Sequence, residues 1–426
     1  MRVVVIGDVG VLDGMVHIGD EAMFEELVTQ LRARGASVVG ISSAPSETAE
    51  RYGIDAIPRI GWPAPHDRVA SDDRRARVLR AAHGDPSGLA ADDPALAVIA
   101  AVREADGVAI AGGGNIASTW PVHIHERTTL GAIAAALGVP LVVSGQTIGP
   151  ALVASDAERV RELLGSARRV GLREAASFAL CARLGVPAEL LHQTTDDASF
   201  LGIDDPRLAA DDPTAPGCLV SLSGYLGDAP EEAALSAIAA LLDAVHLATG
   251  LEITFLPHFG PLGRSLGGHL DGDVEGGQPL RGDDRIHSAV RARMTTGQGR
   301  AIPATDSRTA AALARSAQLV VTSRYHPAVF AAAAATPILG IPVDDYTRVK
   351  LTGALGNLGQ ACVVPLAELL AARSEGRMDE VVDRVWRTRL ELAERTAPAI
   401  DAARQASTAW WDAIAADFAR RDVGNG

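Results

Sequence analysis

Along this chain, short apolar runs alternate with longer segments whose apolar residues recur at helical spacing. Val3–Ile6, Val38–Ile41, Val108–Ala111, Leu141–Ser144 and Val170–Leu172 show no internal alternation, which predicts strands buried on both faces. Helices are predicted over Asp20–Arg34, Ala95–Glu104 and Asp156–Ser166. This succession of strand and helix is the pattern of a parallel, doubly wound sheet. The segment Trp62–Asp93, rich in Asp, Arg, Pro and Gly, interrupts it and predicts an insertion or mobile flap.

The rhythm stops at Gly202–Gly217, where no apolar period survives, and then resumes. Strands are expected at Leu219–Leu222, Glu252–Leu256, Leu319–Thr322 and Ile338–Ile341, and helices at Glu231–Ala248, Ser307–Ser316 and Pro327–Ala335. The predicted organisation is an N-terminal Rossmann-like domain over residues 1–205, a linker over 206–217 and a second Rossmann-like domain over 218–375. A helical tail over 376–426 follows. This is an α/β architecture of two Rossmann-like domains facing a cleft. In the tail, Val381, Val382, Val385, Leu390, Leu392, Trp410, Trp411, Ile414 and Phe418 predict an apolar side that packs on a domain.

Composition narrows the class. With 426 residues and 47% hydrophobic content, two cores are readily built. No apolar run reaches the ~18 residues of a membrane span, and Met1–Asp8 reads as a first strand rather than a signal peptide. Cys181, Cys218 and Cys362 are too widely spaced for a disulfide framework or a zinc site, which points to a reducing, cytoplasmic setting. A net charge of −14 argues against a nucleic-acid surface, so an anionic substrate would need local cations to hold it. The sequence leaves a homo-oligomer open, as it does a peripheral position at the inner face of a membrane.

Ligands of open parallel sheets bind beyond the carboxyl ends of the strands, so the residues after each predicted strand carry the candidate chemistry. Ser323-Arg324-Tyr325-His326 aims an arginine, a histidine and a helix N-terminus at one point, which suits an anion and proton transfer near neutral pH. Gly112-Gly113-Gly114-Asn115 suits close backbone approach to an anion or sugar. Ser144-Gly145-Gln146-Thr147 is small and polar, and Arg173 stands at another strand end, where a salt bridge to Glu174 is the competing reading. Asp20 reads equally well as a helix N-cap. No metal-ligand spacing is present, and no metal or cofactor is expected.

In this order, these segments resemble the polysaccharide pyruvyl transferase family. The matching elements are Gly19-Asp20-Glu21-Ala22, Gly112-Gly113-Gly114-Asn115, Gly145–Pro150, Arg173-Glu174-Ala175-Ala176-Ser177, Thr195–Phe200 and Ser323-Arg324-Tyr325-His326, over roughly residues 1–350. The resemblance implies a glycosyltransferase-B-like fold. It also implies transfer of a pyruvyl group from phosphoenolpyruvate, as co-substrate, to two hydroxyls of a glycan or glycosylated acceptor, forming a ketal and releasing phosphate. It assigns catalysis to Arg324 and His326, and donor binding to Arg173, Arg324, Ser323, Tyr325, Gly113, Gly114 and Asn115. His17, Asp20, Gln146, Asp197, His258 and Lys350 are candidates for the acceptor or the cleft. His17-Ile18-Gly19-Asp20 departs from the family's Asn-x-Gly-Asp, and Lys350 stands later than the family's lysine. Two other readings are a glycosyltransferase using a sugar nucleotide, with Asp344-Asp345 as a ribose clamp, and a non-catalytic binding protein of the same fold.

Overall fold

The computed structural model describes residues 1–205, 215–263, 280–297 and 299–420. Within them the strands are β1 (Arg2–Ile6), β2 (Met15–His17), β3 (Ser37–Ser42), β4 (Asp55–Pro58), β5 (Gly107–Ile110), β6 (Gly113–Ile116), β7 (Leu141–Ile148), β8 (Arg169–Leu172), β9 (Leu191–Gln193), β10 (Cys218–Ser221), β11 (Ile253–Phe255), β12 (Phe259–Pro261), β13 (Arg300–Ala301), β14 (Leu319–Thr322) and β15 (Ile338–Gly340). The chain divides into two compact units. One comprises Met1–Leu12, Met23–Asp197 and Gln405–Gly426, the other Asp13–Ala22 and Ala198–Arg404.

The first unit is built on a parallel sheet ordered β4-β3-β1-β5-β7-β8-β9, with β6 beside β7. Alternate residues of one strand serve opposite faces, as the pleat requires. Val4 and Ile6 of β1 enter a core with Val39, Ile41, Val98 and Ile110, whereas Val3 and Val5 enter another with Phe24, Leu27 and Leu31 of the helix Ile18–Ala33. That second face is closed by Trp410, Trp411, Ile414 and Phe418 of the helix Arg389–Ala419. Two strand glycines make the closure possible. A β-carbon on Gly107 would stand 2.2 Å from the Phe418 ring, and one on Gly171 2.6 Å from that of Trp410. Burying each aromatic is worth roughly 2–3 kcal/mol.

The segment Trp62–Asp93 is a packed element rather than a flap. The Asp67 carboxylate accepts from the Ala70 N–H at 2.7 Å and starts the helix Arg68–Ala82. Val78, Ala81 and Ala82 of that helix enter the core. The Arg74 guanidinium donates two 2.9 Å bonds to Asp93, and the Trp62 indole donates to Glu126 at 2.6 Å. Its polar composition reflects this network of side-chain bonds.

The second unit holds a parallel sheet ordered β13-β11-β10-β14-β15. β2 pairs antiparallel with β12, so Asp13–Ala22 belongs here and not with the N-terminal strands. Helix Glu231–Thr249 packs its buried residues into this core together with Val381, Val382 and Val385 of the helix Met378–Trp386. By length and composition alone it could cross a membrane, contrary to the expectation from sequence, but 56% of its apolar window is buried inside the protein.

The division differs from the one read off the sequence. The unit boundary falls at Asp197/Ala198, the tail splits at Arg404/Gln405 between the two units, and Leu390 is 81% exposed rather than part of an apolar side. Of the expected linker over 206–217, residues 206–214 lie outside the described residues, as do residues 264–279 in the second unit.

Candidate active site

In the second unit the chemistry collects at the carboxyl ends of β10, β11 and β14. The Ser323-Arg324-Tyr325-His326 turn follows β14, and its helix starts at Tyr325, two residues before Pro327. Arg324 keeps an extended backbone in the cap position, where its N–H donates to Thr322 Oγ1 at 2.9 Å. Ser323 Oγ accepts the Ser223 N–H at 2.8 Å, which ties this turn to the loop after β10. Ser323 is thus engaged in positioning the turn.

The Arg324 guanidinium is held by a residue that the sequence reading missed. Asp283, 1% exposed, accepts from Arg324 Nε at 3.0 Å and from Nη2 in a fork, while Nη1 lies outside the fork. The same carboxylate accepts the N–H of His258 at 3.1 Å and of Phe259 at 2.9 Å. One buried anion therefore joins the loop after β11 to the turn after β14. Asp283 ends a glycine-rich stretch without a periodic pattern, so no local signal marked it.

His258 is buried, its Nδ1 lies 3.0 Å from Ser221 Oγ, and its Nε2 has no partner among the described residues. Burial pushes it down to about 3, helped by His326 and Arg324, so it is neutral at physiological pH. His287 is held at about 3 by burial and Arg324, and its Nε2 accepts the Leu222 N–H at 2.9 Å.

His326 sits between rings, edge-on to Tyr325 at 5.1 Å and 5.9 Å from Phe330. It also lies directly against the first turn of the helix Ile18–Ala33, at Gly19. Asp20 is half-buried in that turn; the helix starts two residues earlier, so Asp20 is not its cap. His17 is exposed and stacks on Phe259 at 4.0 Å. Lys350 Nζ lies 5.0 Å from the Tyr325 ring and 5.0 Å from that of Tyr346, so a second cation stands beside the Arg324 turn.

In the first unit the corresponding strand ends are occupied by the protein's own carboxyls. Asp197 accepts the Gly112 N–H at 2.9 Å and the Ser144 hydroxyl at 2.7 Å, and the Trp410 indole donates to Ser144 Oγ at 2.9 Å. Burial drives Asp197 up to about 7, with Asp196 pushing the same way and the bonds from Ser144 and Gly112 opposing. Gly145, at φ +50°, leaves room for it, since a β-carbon there would meet the carboxyl at 2.5 Å. Gly113 and Gly114 lie in β6 rather than in an open loop, so the glycine run supplies a strand and one N–H for Asp197, not an anion cradle.

Arg173 corrects the sequence expectation most sharply. It is fully buried, paired with Asp196 and with Glu174 at 3.1 Å, and donates to Thr147 Oγ1 at 2.8 Å. It ties the end of β7 to the loops after β8 and β9 from within and presents no exposed surface to a donor. Gln146 donates to the Ala111 carbonyl while its Oε1 has no partner among the described residues. Asn115 likewise leaves Oδ1 unpartnered there. Among the described residues no cluster of three or more His, Cys, Asp or Glu side chains is placed to hold a metal.

Two parallel α/β units, with a cationic, histidine-bearing turn at a strand end, define a GT-B-type fold. UDP-GlcNAc 2-epimerase from Neisseria meningitidis, solved with UDP-GlcNAc, is similar with a TM-score of 0.53 at 8% identity, over 90% of this chain and 94% of its own. Arabidopsis thaliana UGT89C1 complexed with UDP is similar with a TM-score of 0.55 at 11% identity, over 98% and 99%. The spinosyn rhamnosyltransferase SpnG aligns with a TM-score of 0.50 at 15% identity, over 97% and 100%. Comparison with curated protein sequences returns no match. The family described as polysaccharide pyruvyl transferase matches residues 17–345, and the chain belongs to that family of transferases. The match takes in His17, Arg173, Arg324 and His326, while Lys350 lies just beyond it.

Proposed function

We propose that this transferase moves a pyruvyl group from phosphoenolpyruvate to two hydroxyls of a glycan-bearing acceptor. The observation that carries this reading is the turn after β14, where Asp283 fixes the Arg324 fork, Lys350 stands over Tyr325, and His326 lies edge-on to the same Tyr325 ring. Phosphoenolpyruvate presents a phosphate and a carboxylate, and two cations beside a helix N-terminus match that pair of anions. His326 is the candidate general acid. It would deliver a proton to the methylene carbon, leaving the adjacent carbon electrophilic for the first hydroxyl. The C–O bond to phosphate then breaks, and the second hydroxyl adds to the same carbon. One hydroxyl proton replaces that given by His326, and the other leaves with phosphate. His258, neutral and hydrogen-bonded to Ser221, is suited to shape the turn rather than to supply the proton.

A sugar-nucleotide reading has the shared fold in its favour, since similar structures hold UDP or UDP-GlcNAc. Against it, Asp344 caps the helix Asp345–Asn357 in a capping box and accepts from Tyr225 at 3.1 Å, a structural use for the residue proposed as a ribose clamp. The test is calorimetric titration with phosphoenolpyruvate and with UDP-sugars, plus a phosphate-release assay with a glycan acceptor. Phosphoenolpyruvate is expected to bind saturably, with at least 10-fold weakening in Arg324→Ala. His326→Ala should bind it and lose about 10²–10⁴-fold in turnover. Full turnover by His326→Ala, or binding of UDP-sugars alone, would overturn the proposal.

A further inference from the structure

The second unit's sheet gains one more pairing beyond β15, a parallel bridge between Gly340 and Val363. Gly340 donates its N–H to the Cys362 carbonyl at 3.0 Å and accepts the Val364 N–H at 2.8 Å. Both bonds of this bridge belong to Gly340, so the N–H and carbonyl of Val363 face away from β15. Neither has a partner among the described residues. The same segment lines a cavity of about 390 Å³, bordered by the helices Met378–Trp386 and Arg389–Ala419. All of its lining belongs to the second unit. Ile338, at the amino end of β15, lies in its wall, whereas the Arg324 turn follows the carboxyl end of β14. The cavity therefore plays no part in the chemistry above.

Two arginines line this cavity. Arg384 gives Nη1 to Glu368 at 2.5 Å and has no other bond or ion pair among the described residues. Arg395 is exposed and has neither a hydrogen bond nor an ion pair there. Gln360, 5% exposed, spends its amide nitrogen on the Thr336 carbonyl at 2.8 Å. Its Oε1 has no partner among the described residues, and a buried amide oxygen calls for a donor. Cys362 adds no charge, because burial pushes its thiol up to about 11 against the pull of Arg384.

The rest of the wall is apolar. Ile338, Val364, Val385 and Leu392 all reach it, and all four are buried. Guanidinium groups and an unpaired backbone N–H select an anion. The aliphatic wall selects an apolar body, which inorganic phosphate lacks. A neutral hydrocarbon would fill the space and leave both arginines to water. The Gln360 oxygen adds a place for one hydroxyl on the ligand.

We propose that this cavity binds a small amphipathic anion, its head on Arg384 and Arg395, its apolar body against Ile338, Val364, Val385 and Leu392, and a hydroxyl on Gln360. The site goes beyond the pyruvyl-transfer reading and does not rest on it. A carboxylate and a phosphate would satisfy the arginines alike, and the probes separate them.

The experiment is calorimetric titration of the full chain with benzoate, the three hydroxybenzoates, phenyl phosphate, benzyl alcohol and inorganic phosphate. Benzoate or phenyl phosphate is expected to bind at least 10-fold tighter than benzyl alcohol and inorganic phosphate, and one hydroxybenzoate severalfold tighter than benzoate. Arg395→Ala, an exposed change, should weaken the anions at least 10-fold and leave phosphoenolpyruvate within twofold. Cys362 supplies a second readout that needs no variant. It is half-buried and lines the cavity, while Cys181 and Cys218 are fully buried, so N-ethylmaleimide on the native protein reports on Cys362. The bound anion should slow that alkylation at least fivefold. Anions no tighter than benzyl alcohol, unchanged affinity in Arg395→Ala, or alkylation at an undiminished rate would each overturn the site. Loss of the aromatic anions in Arg324→Ala would place them at the donor turn and overturn it too. Undiminished phosphoenolpyruvate binding in Arg324→Ala would instead strike the donor assignment and leave this site standing.

Discussion

His326 occupies the space that a side chain at Gly19 would need: a β-carbon there would fall 1.8 Å from His326 Nδ1 and 2.4 Å from its Cε1. Glycine inside a helix costs about 1 kcal/mol relative to alanine, so propensity alone would favour replacing it. The replacement is blocked by the imidazole. Gly19→Ala is therefore expected to displace His326 and lower turnover by at least 10-fold, with a melting temperature within a few degrees of the parent. Steady-state kinetics beside a thermal melt checks this, and parent-like turnover would show that His326 need not sit where it does.

Asp283 is predicted to matter for both folding and activity. Asp283→Ala removes the acceptor for Arg324, His258 and Phe259 together. Leaving a largely buried guanidinium without its partner costs about 3 kcal/mol or more, and denaturant unfolding should register it. Asp283→Asn keeps the shape but not the charge and should fold better, while still binding phosphoenolpyruvate more weakly as the Arg324 fork loosens.

Asp197 gives stability a pH signature. Its carboxyl is raised to about 7 in the fold and returns to about 4 when unfolded, so the native state binds the extra proton between those values. Its contribution is fully present below about pH 4, declines as pH rises, and is lost above about pH 7, with a limiting slope of about 1.4 kcal/mol per pH unit. Asp197→Asn should remove that decline. Subtracting the variant's stability-versus-pH curve from the parent's isolates it, and parallel curves would count against a raised Asp197.

Arg173 is predicted to act through structure. Arg173→Met leaves Asp196 and Glu174 buried without their cation and should cost roughly 3–5 kcal/mol. Any loss of phosphoenolpyruvate affinity should track that destabilisation. A stable variant with a selective binding defect would restore Arg173 to the donor site.

The architecture was largely legible because buried parallel strands leave unbroken apolar runs. Val3–Ile6, Leu319–Thr322 and the helix Ser307–Ser316 lie where the pattern placed them. What escaped notice depends on partners distant along the chain. Asp283 and Arg324 are 41 residues apart, and nothing near either announces the pair. Arg173 shows the same limit in reverse, since an arginine at a strand end looks the same in sequence whether it meets a ligand or two buried carboxylates. Trp62–Asp93 misled because its polar residues bond to one another and to the rest of the unit, while Val78, Ala81 and Ala82 of its helix are buried in the core.

The return of the C-terminal helix to the first unit sets an order of events during synthesis. Trp410 and Phe418 close the face over Gly171 and Gly107, yet the ribosome makes them only after all of 198–404. Domains generally fold as units, N-terminal first, while the chain is still growing. Here the unit that begins first cannot finish first: its sheet must wait with part of one apolar face, beside Phe24, Leu27 and Leu31, uncovered while the second unit is made. Transiently exposed apolar surface is what makes folding intermediates prone to aggregate, and in this chain that surface is open for the whole of the interval.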